Sequence, residues 1–187
     1  MSAKDKTLTG EELLATINRP MPFSDEAEKG VLSCLLQEPA IRVVETRIVL
    51  PPEAFYHPGW RTIYELLNEC VAKGLTIDPP ALTHLLRDRQ MLDGVGGESA
   101  IFELYAFVPI SSHYPFFTKI VRDKWLLRLS IQGNATSIHE ACSHRDHGAE
   151  ESIGSLLSRA ESRTFQILDQ FQGTGKGSQI TTSSEAG

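Results

Sequence analysis

The sequence predicts an all-α fold, a small bundle of about five or six helices followed by a long antiparallel helical hairpin. Three observations carry this expectation. Apolar residues recur at three- and four-residue steps in one segment after another. The one β-branched stretch, IRVVETRIVL, has no partner strand elsewhere in the chain. After residue 114 the segments lengthen and settle into the spacing of a helical seam.

The first 21 residues are polar and weakly patterned, and read as a flexible N-terminal arm with one helical turn around Glu11 to Ile17. A helical bundle is expected over 22–110. In PFSDEAEKGVLSCLLQEP, Ser24 is the N-cap, and Asp25, Glu26 and Glu28 occupy the first turn, where the helix dipole favours acids. Ala27, Val31, Leu32 and Leu35 form its apolar stripe, and Pro39 ends it. IRVVETRIVLPPEAF reads as a short helix over about 40–47 and a turn at Pro51-Pro52. GWRTIYELLNECVAKG places Trp60, Ile63, Leu66, Leu67, Cys70 and Val71 on one stripe, closed by Gly74. A fourth helix starts at DPPALTHLLRDRQML, with Asp78 as its cap and prolines in its first turn. The glycines of DGVGG break the chain before ESAIFELYAFVP, a fifth helix ending near Pro109.

The hairpin is expected over 111–171. PFFTKIVRDKWLLRLSIQGNATSIHEAC reads as one helix from about 114 to 142, with Ile120, Leu127, Ile131, Ile138 and Cys142 on one side. A polar turn, SHRDHG, leads to a second helix on which Ile153, Leu157, Ala160, Thr164, Ile167 and Phe171 alternate by four and three. Two helices are too thin to bury both apolar faces, so the hairpin must pack on the bundle, on another copy, or on both.

Composition bounds the function. The chain has 187 residues, 41% of them hydrophobic and 22% charged, which is ordinary for a globular protein of one or two compact units. It has no apolar run of about eighteen residues, and its first residues lack the apolar centre of a secretion signal, so a cytoplasmic location is expected. Cys34, Cys70 and Cys142 are far apart and odd in number, which argues against a disulfide framework. A net charge of -6 gives no basic footprint for gripping nucleic acid unaided.

Several stretches invite a chemical reading. Gly173-Thr174-Gly175-Lys176-Gly177-Ser178 resembles a phosphate-binding loop, but Gln170 stands where the first glycine belongs and Gly177 where the magnesium-holding hydroxyl belongs. It reads as the flexible tail, 172–187, or the start of an interdomain linker. His139, Cys142, His144 and His147 offer four possible metal ligands within nine residues. Structural zinc sites clip two separated pairs, and no second pair exists here, so this group reads as a solvated turn with a half-buried Cys142. Glu26 and Glu28 are explained by their first-turn position rather than by acid/base work. Lys119, Arg122, Lys124 and Arg128 read as a partly solvated interface face rather than a DNA track, because Asp123 and Trp125 interrupt them. The LDGVGG glycines permit positive φ in a turn, with a phosphate nest as the weaker alternative. Phe55, Tyr56, Trp60, Phe102, Tyr105 and Phe107 read as core rather than as a base-stacking platform. No catalytic, cofactor-binding or metal-ligating residue is assigned.

The blocks PFSDEAEKGVL (22–32), LPPEAFY (50–56), GLTID (74–78), LDGVGG (92–97) and IVRDKWLLR (120–128), in this order and at this spacing, resemble the N-terminal domain of DnaB-type replicative DNA helicases. The resemblance covers about residues 20 to 171, and Trp60 departs from it where the family often has histidine or another polar residue. It implies a helical bundle and hairpin, six copies of which form a collar arranged as a trimer of dimers. The hairpins pair between neighbouring subunits, which makes Ile120, Leu127, Ile131, Ile138, Ile153, Leu157, Thr164 and Ile167 the candidate oligomer interface. It further implies docking of the C-terminal domain of primase and, in some bacteria, of a helicase loader or initiator. ATP, magnesium and strand translocation belong in that family to a separate RecA-like motor domain, which this chain lacks. The chain is therefore expected to be a non-enzymatic collar, whether a fragment or a natural short relative, with at most weak DNA contact. The alternative is a stand-alone helical regulator that mimics this domain and binds helicase or primase.

Overall fold

A computed structural model describes residues 19–75, 77–108, 110–146 and 152–173, which are helical apart from short connections. The helices are α1 (Asp25–Gln37), α2 (Pro39–Val49), α3 (Pro58–Ala72), α4 (Pro79–Asp88), α5 (Gly97–Ala106), α6 (Tyr114–Asp146) and α7 (Ile153–Gly173). Single 3-10 turns at Pro52–Ala54, Asp93–Val95 and Ser111–His113 lie between them.

Helix α1 is the centre of the bundle. Ser24 caps it, its hydroxyl accepting the Ala27 N–H at 3.3 Å. Nine of its thirteen residues are buried, because α2, α3, α5 and α6 all pack around it. The closest approach is made by α6 at Gly30, where a Cβ would stand 2.5 Å from the Phe117 ring. Only a glycine admits that ring. Ser33 ties α1 to the end of α5, donating to the Tyr105 carbonyl and accepting the Val108 N–H. The inner stripes of α3 and α4 add Ile63, Leu67, Leu82 and Leu86, and the connection before α3 adds Phe55, all fully enclosed. Tyr64 is buried with them and donates to the Leu50 carbonyl at 2.9 Å, and burial pushes its phenol up to about 12.

The local stop signals act as the sequence expects. Gly74 (φ 66°) ends α3 in a Schellman motif, its N–H reaching Val71 and that of Leu75 reaching Cys70. Asp78 caps α4 by accepting the Ala81 N–H at 2.7 Å. Gly96 (φ 95°) and Gly97 (φ 81°) make the left-handed turn of LDGVGG. Their N–H groups bond to the Asp93 and Leu92 carbonyls, so the loop holds no open nest for a phosphate.

Six expectations need correction. Helix α2 runs two residues past the expected end, with Pro39 in its first turn. Helix α6 continues to Asp146, into the stretch read as a polar turn, since no proline or glycine interrupts it before Gly148. Cys142 is exposed rather than half-buried. Tyr56, Phe102, Tyr105 and Phe107 are exposed, leaving Phe55 and Trp60 as the buried members of the aromatic set. Arg128, expected on a solvated basic face, is buried and serves as a rivet. Its guanidinium donates to the carbonyls of Pro22 (2.9 Å) and Ala54 (2.6 Å) and lies over the Tyr56 ring. Beside it Glu28, read as a dipole-compensating acid, accepts the N–H groups of Tyr56 and His57.

Candidate assembly interface

With successive residues about 100° apart around a helix, α6 presents three faces, each about a third of a turn from the next. The first carries Tyr114, Thr118, Val121, Trp125 and Arg128, all buried against the bundle. The second carries Arg122, Gly133, Ser137 and Glu140 and receives α7. Gly133 lets the Ile167 side chain approach, its Cδ1 lying 3.7 Å from where a glycine Cβ would stand. Arg163 of α7 donates to Ser137 Oγ and to the Glu140 carboxylate, and the bond from Arg163 holds that carboxyl below the usual range. Arg122 donates to the Gln170 and Phe171 carbonyls, closing the C-terminal end of α7 onto α6.

The third face has no covering element among the described residues. On it stand Phe116, Leu127, Ile131 and Ile138, with half-buried Ile120 between them. Helix α7 repeats the arrangement with Ile153, Leu157, Thr164, Leu168 and Phe171 beside its seam. These eight large apolar side chains, from Phe116 to Phe171, are 44% to 66% exposed, where a helix facing water would carry polar residues. Both stripes lie on the same side of the hairpin. A groove lined by Gly133, Asn134 and Ser137 of α6 and by Thr164, Ile167 and Leu168 of α7 runs between them.

The structure thus brings most of the sequence-derived set onto one surface. Leu127, Ile131, Ile138, Ile153, Leu157 and Thr164 are exposed there, while Ile120 is half-buried beside the bundle and Ile167 half-buried inside the hairpin. Phe116 and Leu168 belong to the same surface and were not singled out. Their signal was available, since Phe116 is one turn before Ile120 and Leu168 one turn after Thr164.

A bundle whose last long helix extends into a paired hairpin with a free apolar side is a specific architecture. The family model described as the DnaB-like helicase N terminal domain matches residues 20–123, more than half of the chain. This chain belongs to that family. Replicative DNA helicase DnaB of Geobacillus stearothermophilus is 30% identical to it over 146 residues, 78% of this chain and 31% of that protein. Replicative DNA helicase DnaC of Bacillus subtilis is 27% identical over 153 residues, 82% of this chain and 32% of that protein. The chain therefore spans about a third of the length of the curated relatives it matches. The crystal structure of the N-terminal domain of DnaB helicase from Mycobacterium tuberculosis shares its fold at a TM-score of 0.68 and 22% identity, covering 79% of this chain and 99% of that one.

In this DnaB-type domain, the other sequence candidates divide cleanly. His139 and Cys142 are exposed on the far half of α6, and His147 lies outside the described residues, as does the GTGKGS stretch beyond Gly173. Among the described residues no group of three or more metal-ligand side chains converges. None of the described helices is long and apolar enough to cross a membrane. Lys119 is paired with Asp123 at 2.8 Å, and Arg122 and Arg128 both donate to backbone carbonyls.

Proposed function

We propose that this chain is the non-catalytic collar domain of a replicative DNA helicase. In this reading it assembles with further copies through the hairpin, as a dimer or as a hexamer built as a trimer of dimers. The assembled surface receives the C-terminal helicase-binding domain of primase and a helicase loader or initiator. The observation that carries the reading is the third face of α6 and its continuation on α7, a row of large apolar side chains on a rigid double helix. Contiguous apolar surface of this kind is rare on free monomers, and a like surface on a second copy is a self-complementary cover for it. The mechanism is geometric. Paired hairpins fix the spacing of subunits, and a partner bound on the collar is kept at high local concentration near the motor and its strand. ATP and magnesium belong, in this reading, to a RecA-like motor domain and not to this chain.

Calorimetric titration of the chain with the purified C-terminal helicase-binding domain of a bacterial primase tests the docking part. Saturable binding at a fixed ratio is expected. Absence of binding at about 100 µM of each, where Kd values tighter than that register clearly, removes primase from the proposal.

A further inference from the structure

A second surface lies on the bundle, where the N-termini of α1 and α3 meet α5 and the LDGVGG turn. A cleft of about 440 Å³ opens there, within the range of about 300–1,000 Å³ typical of small-ligand sites. Its floor is apolar and comes from three separate elements: Trp60 of α3, Val95 of the turn and Leu104 of α5, all buried. Ala100 adds a small side chain to the wall, and Phe107 stands at its edge, 43% exposed.

The floor is rigid. The Trp60 indole N–H donates to Asp25 at 2.7 Å, while the His57 ring packs on the indole at 4.9 Å and the Lys29 ammonium lies 5.5 Å from its centre. Burial pushes the Asp25 carboxyl up, but the bonds from Lys29 and Trp60 outweigh it and bring its pKa below the ordinary value. The Trp60 surface therefore needs no ordering when something lands on it.

The rim is charged, and its charges are unequally matched. Lys29 is neutralised within the protein, its ammonium 2.7 Å from Asp25. Asp93 and Glu103, also on the rim, form neither an ion pair nor a side-chain hydrogen bond with any described residue. The cleft thus presents an apolar floor under two uncompensated carboxylates, on a chain of net charge -6. Such a rim repels anions and draws cationic groups.

We propose that this cleft is a docking site for a basic protein segment, which inserts one large apolar side chain over Trp60 and sets flanking arginine or lysine residues against Asp93 and Glu103. The cleft shares no residue with the hairpin groove, so the outcome of its test is independent of the collar assignment.

The probe is a short synthetic peptide with a tryptophan between arginines, titrated into the 15N-labelled chain and followed by two-dimensional NMR. Two control peptides replace the tryptophan by glycine or the arginines by glutamates. The expected result is a saturable shift of the Trp60 indole N–H and of the Gly94, Gly96 and Ala100 amides with the first peptide. Each control should bind about tenfold more weakly, a difference of one decade in affinity. Asp93→Asn with Glu103→Gln should weaken the first peptide by a similar factor, and Ala100→Trp, which fills the cleft, should abolish the shifts. Equal binding by the glycine control reduces the effect to charge attraction and overturns the proposal. Shifts centred elsewhere, or none up to millimolar peptide, overturn it as well.

Discussion

The Glu28 carboxylate, on a side chain only 1% exposed, accepts the backbone N–H of Tyr56 at 2.9 Å and that of His57 at 3.1 Å. It binds the loop between α2 and α3 to the central helix, and the neighbouring Arg128 rivet holds the same loop at the Ala54 carbonyl. Glu28→Ala should leave two backbone donors without their partner and cost about 2–4 kcal/mol, read from urea unfolding. Glu28→Gln, which keeps one acceptor oxygen, should cost less. Burial raises the Glu28 pKa above its ordinary value, so between the ordinary and the raised value the folded state binds more protons than the unfolded one. Stability should therefore fall as pH rises through that window, and Glu28→Gln should remove this contribution to the slope.

Arg128→Met should release the Pro22 and Ala54 carbonyls together. A loss of about 2–4 kcal/mol is expected, because the bonds are charge-assisted and shielded from water. The distinctive sign is local. Limited proteolysis under native conditions should cut near Pro22 in the variant and leave the same site protected in the parent chain.

Gly30→Ala tests the packing of α6 on α1. Its methyl would overlap the Phe117 ring, and the helices must move apart at a cost of about 1–3 kcal/mol despite the higher helix propensity of alanine. Adding Phe117→Leu should recover part of that loss. A Gly30→Ala protein as stable as the parent contradicts the packing described.

Glu69 offers a titration that reports surface geometry. Hydrogen bonds from Arg89 and Lys73 hold its carboxyl down at about 2. A depressed folded pKa means that the pair contributes above the ordinary carboxylate value and loses its contribution as pH falls toward 2. The side chains are solvated, so the effect on stability is small. Carbon-detected NMR should find Glu69 titrating about two pH units below a free glutamate, and Arg89→Gln should bring it back toward the ordinary value.

Much of this architecture is written in short-range chemistry. Ser24, Gly74 and Asp78 state where helices start and stop, and the structure uses each of them in that role. The hairpin was legible because a seam spacing survives whatever the rest of the chain does. Harder to see was how α6 divides its circumference. Three faces with three different neighbours place apolar residues all round a helix and erase a single stripe, so Arg128 looked like one more surface cation among Lys119, Arg122 and Lys124. Its burial depends on carbonyls of Pro22 and Ala54, far away in sequence. Glu28 was obscured by a sufficient local explanation, since a first-turn acid needs no further partner. The aromatic residues of α5 show the converse limit. Phe102 and Tyr105 carry no spacing signal that separates a core ring from an exposed one on a ten-residue helix packed on one side.

Sedimentation velocity of the parent chain and of Ile131→Asp, over a concentration series reaching several hundred micromolar, tests the central claim most directly. Ile131 lies in the middle of the free stripe and is 44% exposed, so a charge there opposes association without opening the core. The expected result is a parent chain that forms a dimer or a larger species as concentration rises. The variant should remain a monomer with its helical circular dichroism intact. A parent chain that sediments as a monomer throughout the series contradicts the assembly role.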